Sequence, residues 1–221
     1  MSPVSPPRLP ISFVLFDLDG TLVDTLEDIA ASVNHALRTL GLPERSLEEV
    51  RTFVGRGVQH LVLRAIGSEN AEKADRLLDL FRAHYDAHCL DRSRLMPGAR
   101  ECLEYFAGRD LGVVSNKPER FVRRLLEGLG IDSYFKVMFG GDSTAERKPS
   151  PLMVRAALGT LGRSPNEGIL AGDLPVDVET GRAAGVYTVA LLGGFGTREE
   201  LEASSPDLLL DDLHMLVRRF G

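Results

Sequence analysis

The sequence predicts an α/β fold, a parallel sheet wrapped by helices and interrupted once by a wholly helical insertion. Three observations carry that expectation. Short, continuously apolar segments recur at Phe13–Phe16, Leu111–Val114, Val137–Phe139, Ile169–Ala171 and Val186–Leu191, the texture of strands buried on both faces of a parallel sheet. Helical patterns separate all but the first of them, which is the alternation of an α/β core. After the first strand, residues 24–94 show helical spacing throughout, and Met96-Pro97-Gly98 marks a hinge back to the core. The predicted division is 1–23 with 95–221 as the core and 24–94 as an inserted cap.

Each element has its own signal. Residues 1–10 hold Pro3, Pro6, Pro7 and Pro10 and no apolar leader-like run, and read as a disordered tail. The strand at Phe13–Phe16 runs directly into Asp17. Thr25 with Asp28 fits a capping box, Ile29, Val33, Ala36, Leu37 and Leu40 follow at helical spacing, and Gly41 can end that helix. Ser46 with Glu49 opens a second helix, Val58–Ile66 forms a third, and a fourth runs from Ala71 to about Cys89 with Leu77, Leu80, Phe81 and Tyr85 on one side.

Composition narrows the classes of function. An apolar fraction of 43% and a charged fraction of 26% suit a chain that folds in water, and no apolar run is long enough to span a bilayer. The net charge is −6 with scattered basic residues, which argues against a nucleic-acid face. Cys89 and Cys102 form no Cys-x-x-Cys pair, so neither a disulfide framework nor a structural zinc site is expected, and the reading is of a cytoplasmic protein. His84 and His88 lie one helical turn apart but lack the glutamate of a zinc-protease motif, and Gly193, Gly194 and Gly196 read as a turn.

The chemistry lies at strand ends. In Asp17-Leu18-Asp19-Gly20-Thr21, two carboxylates two residues apart on an extended segment face the same way. One can attack phosphorus while its neighbour protonates the leaving alcohol and then deprotonates water. Asp173, in Gly172-Asp173-Leu174-Pro175-Val176-Asp177, again follows an apolar strand, so Asp17 and Asp173 on neighbouring strands can share a Mg²⁺ ion, with Asp177 one helical turn behind. Carboxylates repel a phosphate dianion, and Ser115 and Lys148 supply the donors needed to hold one.

These segments, Asp17 to Thr25, Ser115-Asn116-Lys117-Pro118, Lys148-Pro149-Ser150-Pro151 and Gly172-Asp173 with Asp177, resemble the haloacid dehalogenase superfamily, most nearly its phosphoglycolate phosphatase-like members. The resemblance covers the chain from Phe13 and implies a Rossmann-like parallel-sheet core with an inserted helical-bundle cap. It implies Asp17 as nucleophile, Asp19 as acid and base, and Thr21, Ser115, Asn116 and Lys148 as phosphate binders. Asp17, Asp173 and the backbone carbonyl of Asp19 would hold Mg²⁺. Leu174 departs from the pattern, since relatives often carry serine there.

The function implied is Mg²⁺-dependent hydrolysis of a small phosphorylated metabolite, foremost 2-phosphoglycolate, through an aspartyl-phosphate, by a monomer or homodimer. A sugar phosphate mutase of the β-phosphoglucomutase type shares all four motifs, as do other phosphomonoesterases and pyrophosphatases. Asp19 disfavours a dehalogenase, and the position of Lys73 disfavours a phosphonate-cleaving enzyme. A catalytically silent binding protein on the same fold should have lost a carboxylate or Lys148, and neither is lost. For substrate choice the candidate is Arg56, whose guanidinium, between Gly55 and Gly57, can grip a carboxylate.

Overall fold

The structure, a computed structural model, describes residues 11–220, so the tail expected at 1–10 lies outside the described residues. A six-stranded sheet is built from β1 (Phe13–Phe16), β4 (Asp110–Val114), β5 (Phe135–Phe139), β6 (Gly168–Gly172), β7 (Tyr187–Leu191) and β8 (Leu208–Leu210). Its order is β5-β4-β1-β6-β7-β8, and every pair is parallel. All four residues of β1 are buried, as a strand flanked by β4 and β6 requires. The chain builds one side of the sheet from β1 through β4 to β5, then crosses back to place β6 on the other side of β1. Strand order reverses there, and the crevice beyond the carboxyl ends of the strands at such a reversal is where α/β sheets bind ligands.

Between β2 (Val23–Asp24) and β3 (Arg94–Leu95), which pair antiparallel, the chain leaves the sheet and forms α1 (Leu26–Thr39), α2 (Leu47–Arg51), α3 (Val58–Ile66) and α4 (Ala74–His88). These helices have their own apolar centre, in which Val33, Leu37, Leu77, Phe81 and Tyr85 meet Phe121 from the sheet side. Large side chains buried this fully each contribute about 1.5–3 kcal/mol, so the insertion is held together by packing rather than by helix propensity. The sheet is flanked by α5 (Ala99–Phe106), α6 (Glu119–Gly128), α7 (Leu152–Leu161), α8 (Pro175–Ala184), α9 (Arg198–Ser204) and α10 (Leu213–Phe220).

Local expectations meet the structure unevenly. The capping box at Ser46 and Glu49 is formed, and α3 has the predicted bounds. The box at Thr25 and Asp28 is not. Thr25 donates its hydroxyl to Asp19 instead, and buried Asp28 accepts the N–H groups of Arg92 and Ser93 and the Ser93 hydroxyl, which ties the start of α1 to the returning chain. The fourth helix begins at Ala74 rather than Ala71, because Gly67 has a φ of 78° and Ser68–Lys73 forms a 3₁₀ segment with non-helical Asn70. Strand β8 was not anticipated.

Candidate active site

The termini of three adjacent strands converge. Asp17 follows β1 and donates its N–H to the Ala171 carbonyl at 2.9 Å, extending the β1–β6 ladder by one residue, and its carboxylate comes within 4.8 Å of that of Asp173. Ser115 follows β4, with its N–H donating to Phe139 at 3.0 Å. Lys148, 4% exposed, reaches in from the segment before α7. Its ammonium donates to Asp17 Oδ1 at 2.8 Å, to Asp177 Oδ1 at 2.6 Å and to the Val114 carbonyl at 2.9 Å.

Asp173 is fully buried and fixed from both sides. Its Oδ1 accepts the Thr21 hydroxyl at 2.6 Å, and its Oδ2 accepts the Phe195 N–H at 2.7 Å. Close approach of the chain makes this possible: a Cβ on Gly20, whose φ is 87°, would lie 2.4 Å from Asp173 Oδ2, and one on Gly194 would lie 2.3 Å from the Asp173 Cβ. Of the glycines read as a plain turn, Gly194 and Gly196 thus close on Asp173, while Gly193 faces the Asp211 carbonyl.

Asp17, Asp173 and Asp177 can each present an oxygen such that all lie within 4.8 Å of one another. Burial raises the Asp17 pKa, Lys148 opposes it, and Asp177 and Asp19 add to it, with the result pushed up to about 6. Burial, then Asp17 and Asp177, push Asp173 well above the carboxylate range. Three carboxylates against one ammonium leave a deficit of positive charge in a dry site. An all-oxygen donor set of this kind fits a hard divalent cation such as Mg²⁺, which would neutralise the carboxylates and a phosphate together.

Asp19 lies across from Asp17. Its Oδ1 accepts the Thr25 hydroxyl at 2.6 Å and the Lys117 ammonium at 2.8 Å, with Lys117 also 3.2 Å from Oδ2. Both acids and Ser115 line a cavity of about 420 Å³ roofed by the helical insertion, with Leu61, Phe81 and Tyr85 among its apolar wall.

The remaining expected residues have surroundings of their own. Thr21 is buried and gives its hydroxyl to Asp173. Asn116 lines the cavity beside Ser115, and its side-chain amide donates to the carbonyls of Gly55 and Lys148 and accepts the Lys148 N–H, clamping three segments together. Arg56 is exposed and does not line the cavity. With φ of 108° and 87° at Gly55 and Gly57, the glycines form the wall and the arginine faces outward. Lys117 was missed as a site residue, although it adjoins Ser115 and Asn116. Arg51 was missed too, and donates to the carbonyls of Gly194 and Phe195 beside Asp173.

This fold and site define the class. Residues 14–191 match the family of haloacid dehalogenase-like hydrolases, and the chain belongs to it. It is 38% identical over 219 residues to the phosphoglycolate phosphatase of Pseudomonas putida, covering 96% of this chain and 79% of that protein. It is 34% identical to the phosphoglycolate phosphatase of Aliivibrio fischeri, covering 94% and 95% of the two chains. Among solved structures, a predicted phosphoglycolate phosphatase from Haemophilus somnus superposes with a TM-score of 0.90 at 33% identity, covering 96% of this chain and 99% of that one. CbbY from Rhodobacter sphaeroides, in complex with phosphate, gives a TM-score of 0.74 at 26% identity, with 93% and 96% covered.

Proposed function

We propose that this chain is a Mg²⁺-dependent phosphatase of 2-phosphoglycolate that works through an aspartyl-phosphate on Asp17. The observation that carries the reading is the pairing of Asp17 with Asp19 on the wall of one cavity, each held by its own ammonium. The phosphoglycolate phosphatases of P. putida and A. fischeri support the choice of substrate.

An Asp17 carboxylate oxygen attacks phosphorus as the bond to the substrate's alkyl oxygen breaks, and Asp19 gives that oxygen its proton, so that glycolate leaves. Asp19 then takes a proton from water, whose oxygen attacks the aspartyl-phosphate and releases inorganic phosphate and the free Asp17 carboxylate. Thr25 and Lys117 hold Asp19 in place for both transfers. Lys148 and Ser115 stabilise charge on the transferring group. Bound Mg²⁺, held by Asp17, Asp173 and the Asp19 carbonyl, would supply Lewis-acid charge stabilisation, and Asp177 would support that set through Lys148. The unpaired, buried Cys89 and Cys102 suit a cytoplasmic enzyme, active as a monomer or homodimer.

Phosphate release from 2-phosphoglycolate, β-glucose 1-phosphate and pyrophosphate, each with Mg²⁺ and with chelator, tests the reading. Mg²⁺-dependent release greatest with phosphoglycolate is expected. Conversion of the sugar phosphate to an isomer without release would establish a mutase instead.

A further inference from the structure

The cavity contains a group that the chemistry above does not use. Tyr85, on α4, is 1% exposed, and among the described residues its hydroxyl is the one buried side-chain polar atom with no hydrogen-bond partner. Leaving a buried hydroxyl unpaired is costly, and such groups occur chiefly where something else completes them. The ring cannot swing out to find water. It is stacked on Phe81 at a centroid distance of 5.4 Å and set edge-on to Phe121 at 5.0 Å. The Lys117 ammonium stands 4.7 Å from the ring centroid while it contacts Asp19. Tyr85 and Lys117 therefore line the same cavity beside the acid, and the hydroxyl, itself shut off from solvent, is reached by a ligand only when the side chains over it shift.

We propose that the Tyr85 hydroxyl and the Lys117 ammonium form the subsite for a carboxylate on the substrate, and so set the preference for an acidic phosphate ester. This rests on the reading of the chain as a phosphoglycolate phosphatase. Connectivity places the carboxylate. Asp19 must reach the leaving oxygen, and in 2-phosphoglycolate a single methylene joins that oxygen to the carboxylate carbon. The carboxylate therefore lies close to whatever touches Asp19, and Lys117 touches it. There it accepts the Tyr85 O–H and a Lys117 N–H, and the hydroxyl gains its partner only when an acidic substrate is bound. An ester lacking the carboxylate leaves the Tyr85 hydroxyl unmet and Lys117 with Asp19 alone, and a buried polar group left unpaired is what discriminates most strongly.

The other cations on the cavity wall are less well placed. Arg147 donates to the Gly141 carbonyl and to Gln59, and Arg120 lies over the Phe121 ring at 4.4 Å. Arg82 shares α4 with Tyr85 and is only partly buried, so it is the competitor to test.

The experiment compares kcat/KM for 2-phosphoglycolate with that for ethyl phosphate, which replaces the carboxylate with a methyl group. Wild type, Tyr85→Phe, Lys117→Met and Arg82→Ala are measured. In parallel, inhibition by 3-phosphonopropionate is compared with inhibition by propylphosphonate. The ratio of the two kcat/KM values is expected to fall about tenfold or more in Tyr85→Phe and in Lys117→Met, one charge-assisted hydrogen bond's worth. Lys117→Met should also slow both esters through Asp19, and Arg82→Ala should leave the ratio within about twofold. The inhibition constant for 3-phosphonopropionate should rise in Tyr85→Phe while that for propylphosphonate stays. Tyr85→Phe removes only an unpaired oxygen, so its Tm should hold or rise. An unchanged ratio and unchanged inhibition in folded Tyr85→Phe overturn the subsite alone, as does collapse of the ratio in Arg82→Ala with Tyr85→Phe unmoved. A wild type that hydrolyses both esters equally well overturns the carboxylate substrate itself, and the subsite with it.

Discussion

Replacing Lys148 with Met removes the one ammonium that faces both Asp17 and Asp177 while keeping most of the side chain's volume. Burial by itself would lower the Lys148 pKa, but Asp17 and Asp177 raise it above the usual lysine range, so the charge is firmly held. Deleting one partner of a buried ion pair costs about 3–5 kcal/mol, because the other charge stays behind unpaired. For a chain of this size each kcal/mol shifts Tm by about 2–4 °C, which gives a drop of about 6–20 °C at pH 7.5 in the presence of chelator. The drop should shrink at pH 5. Lys148 is the leading influence holding the Asp17 pKa down against burial, so without it the acid takes up a proton more readily and no longer needs a partner. Differential scanning calorimetry of both proteins at the two pH values reads this directly. A Tm within about 2 °C of wild type at pH 7.5, or a larger loss at pH 5, would refute the electrostatic account of the site.

The same reasoning gives further expectations. Asp17→Asn should fold and lose turnover entirely, whereas Asp19→Asn should retain more activity on 4-nitrophenyl phosphate, whose leaving group needs no acid, than on an alkyl ester; equal losses in a steady-state assay would exclude the acid role. Chelated wild type should become more stable as pH falls from 7.5 to 5, since Asp17, with its native pKa raised from 3.8 to about 6, binds a proton in the folded state before the unfolded one does. At pH 5, one unit below the raised pKa, the gain is about 1.4 kcal/mol, and it is seen in urea melts. Asp110, its pKa lowered mainly by its hydrogen bond from Lys136, contributes stability that is lost only as pH falls below the ordinary carboxylate value, outside that window. In a Mg²⁺ titration of activity, Asp173→Ala should raise the metal requirement far more than Asp177→Ala, and the opposite order would reverse their roles.

The strands and the acids at their ends are legible because a parallel strand buried on both faces must be apolar throughout, so a carboxylate directly after one stands out. Strand β8 hides because it is three residues long and Leu208 and Leu209 are only half-buried. Thr25 and Asp28 have the residue types of a capping box, but the same oxygens serve equally well as long-range donors and acceptors, and nothing local distinguishes the two uses. Tyr85 reads as one more apolar position on a helix face, and only the cavity shows that its hydroxyl lacks a partner.

What the sequence conceals most thoroughly is how the insertion is joined to the catalytic residues, since each link crosses a long stretch of chain. Asn116 holds the Gly55 carbonyl while it clamps the backbone of Lys148. Arg51 holds the carbonyls of Gly194 and Phe195, the latter in the residue whose N–H fixes Asp173. Leu174, where the resemblance leads one to expect serine, fits this pattern: a Cβ at Gly55 would lie 2.2 Å from its Cδ1, so the leucine fills the space that the glycine leaves. A serine at 174 would return a hydroxyl to the site but withdraw that apolar contact. The leucine therefore packs the core against the insertion, and residues that look like a lost motif position and a flexible glycine are one contact.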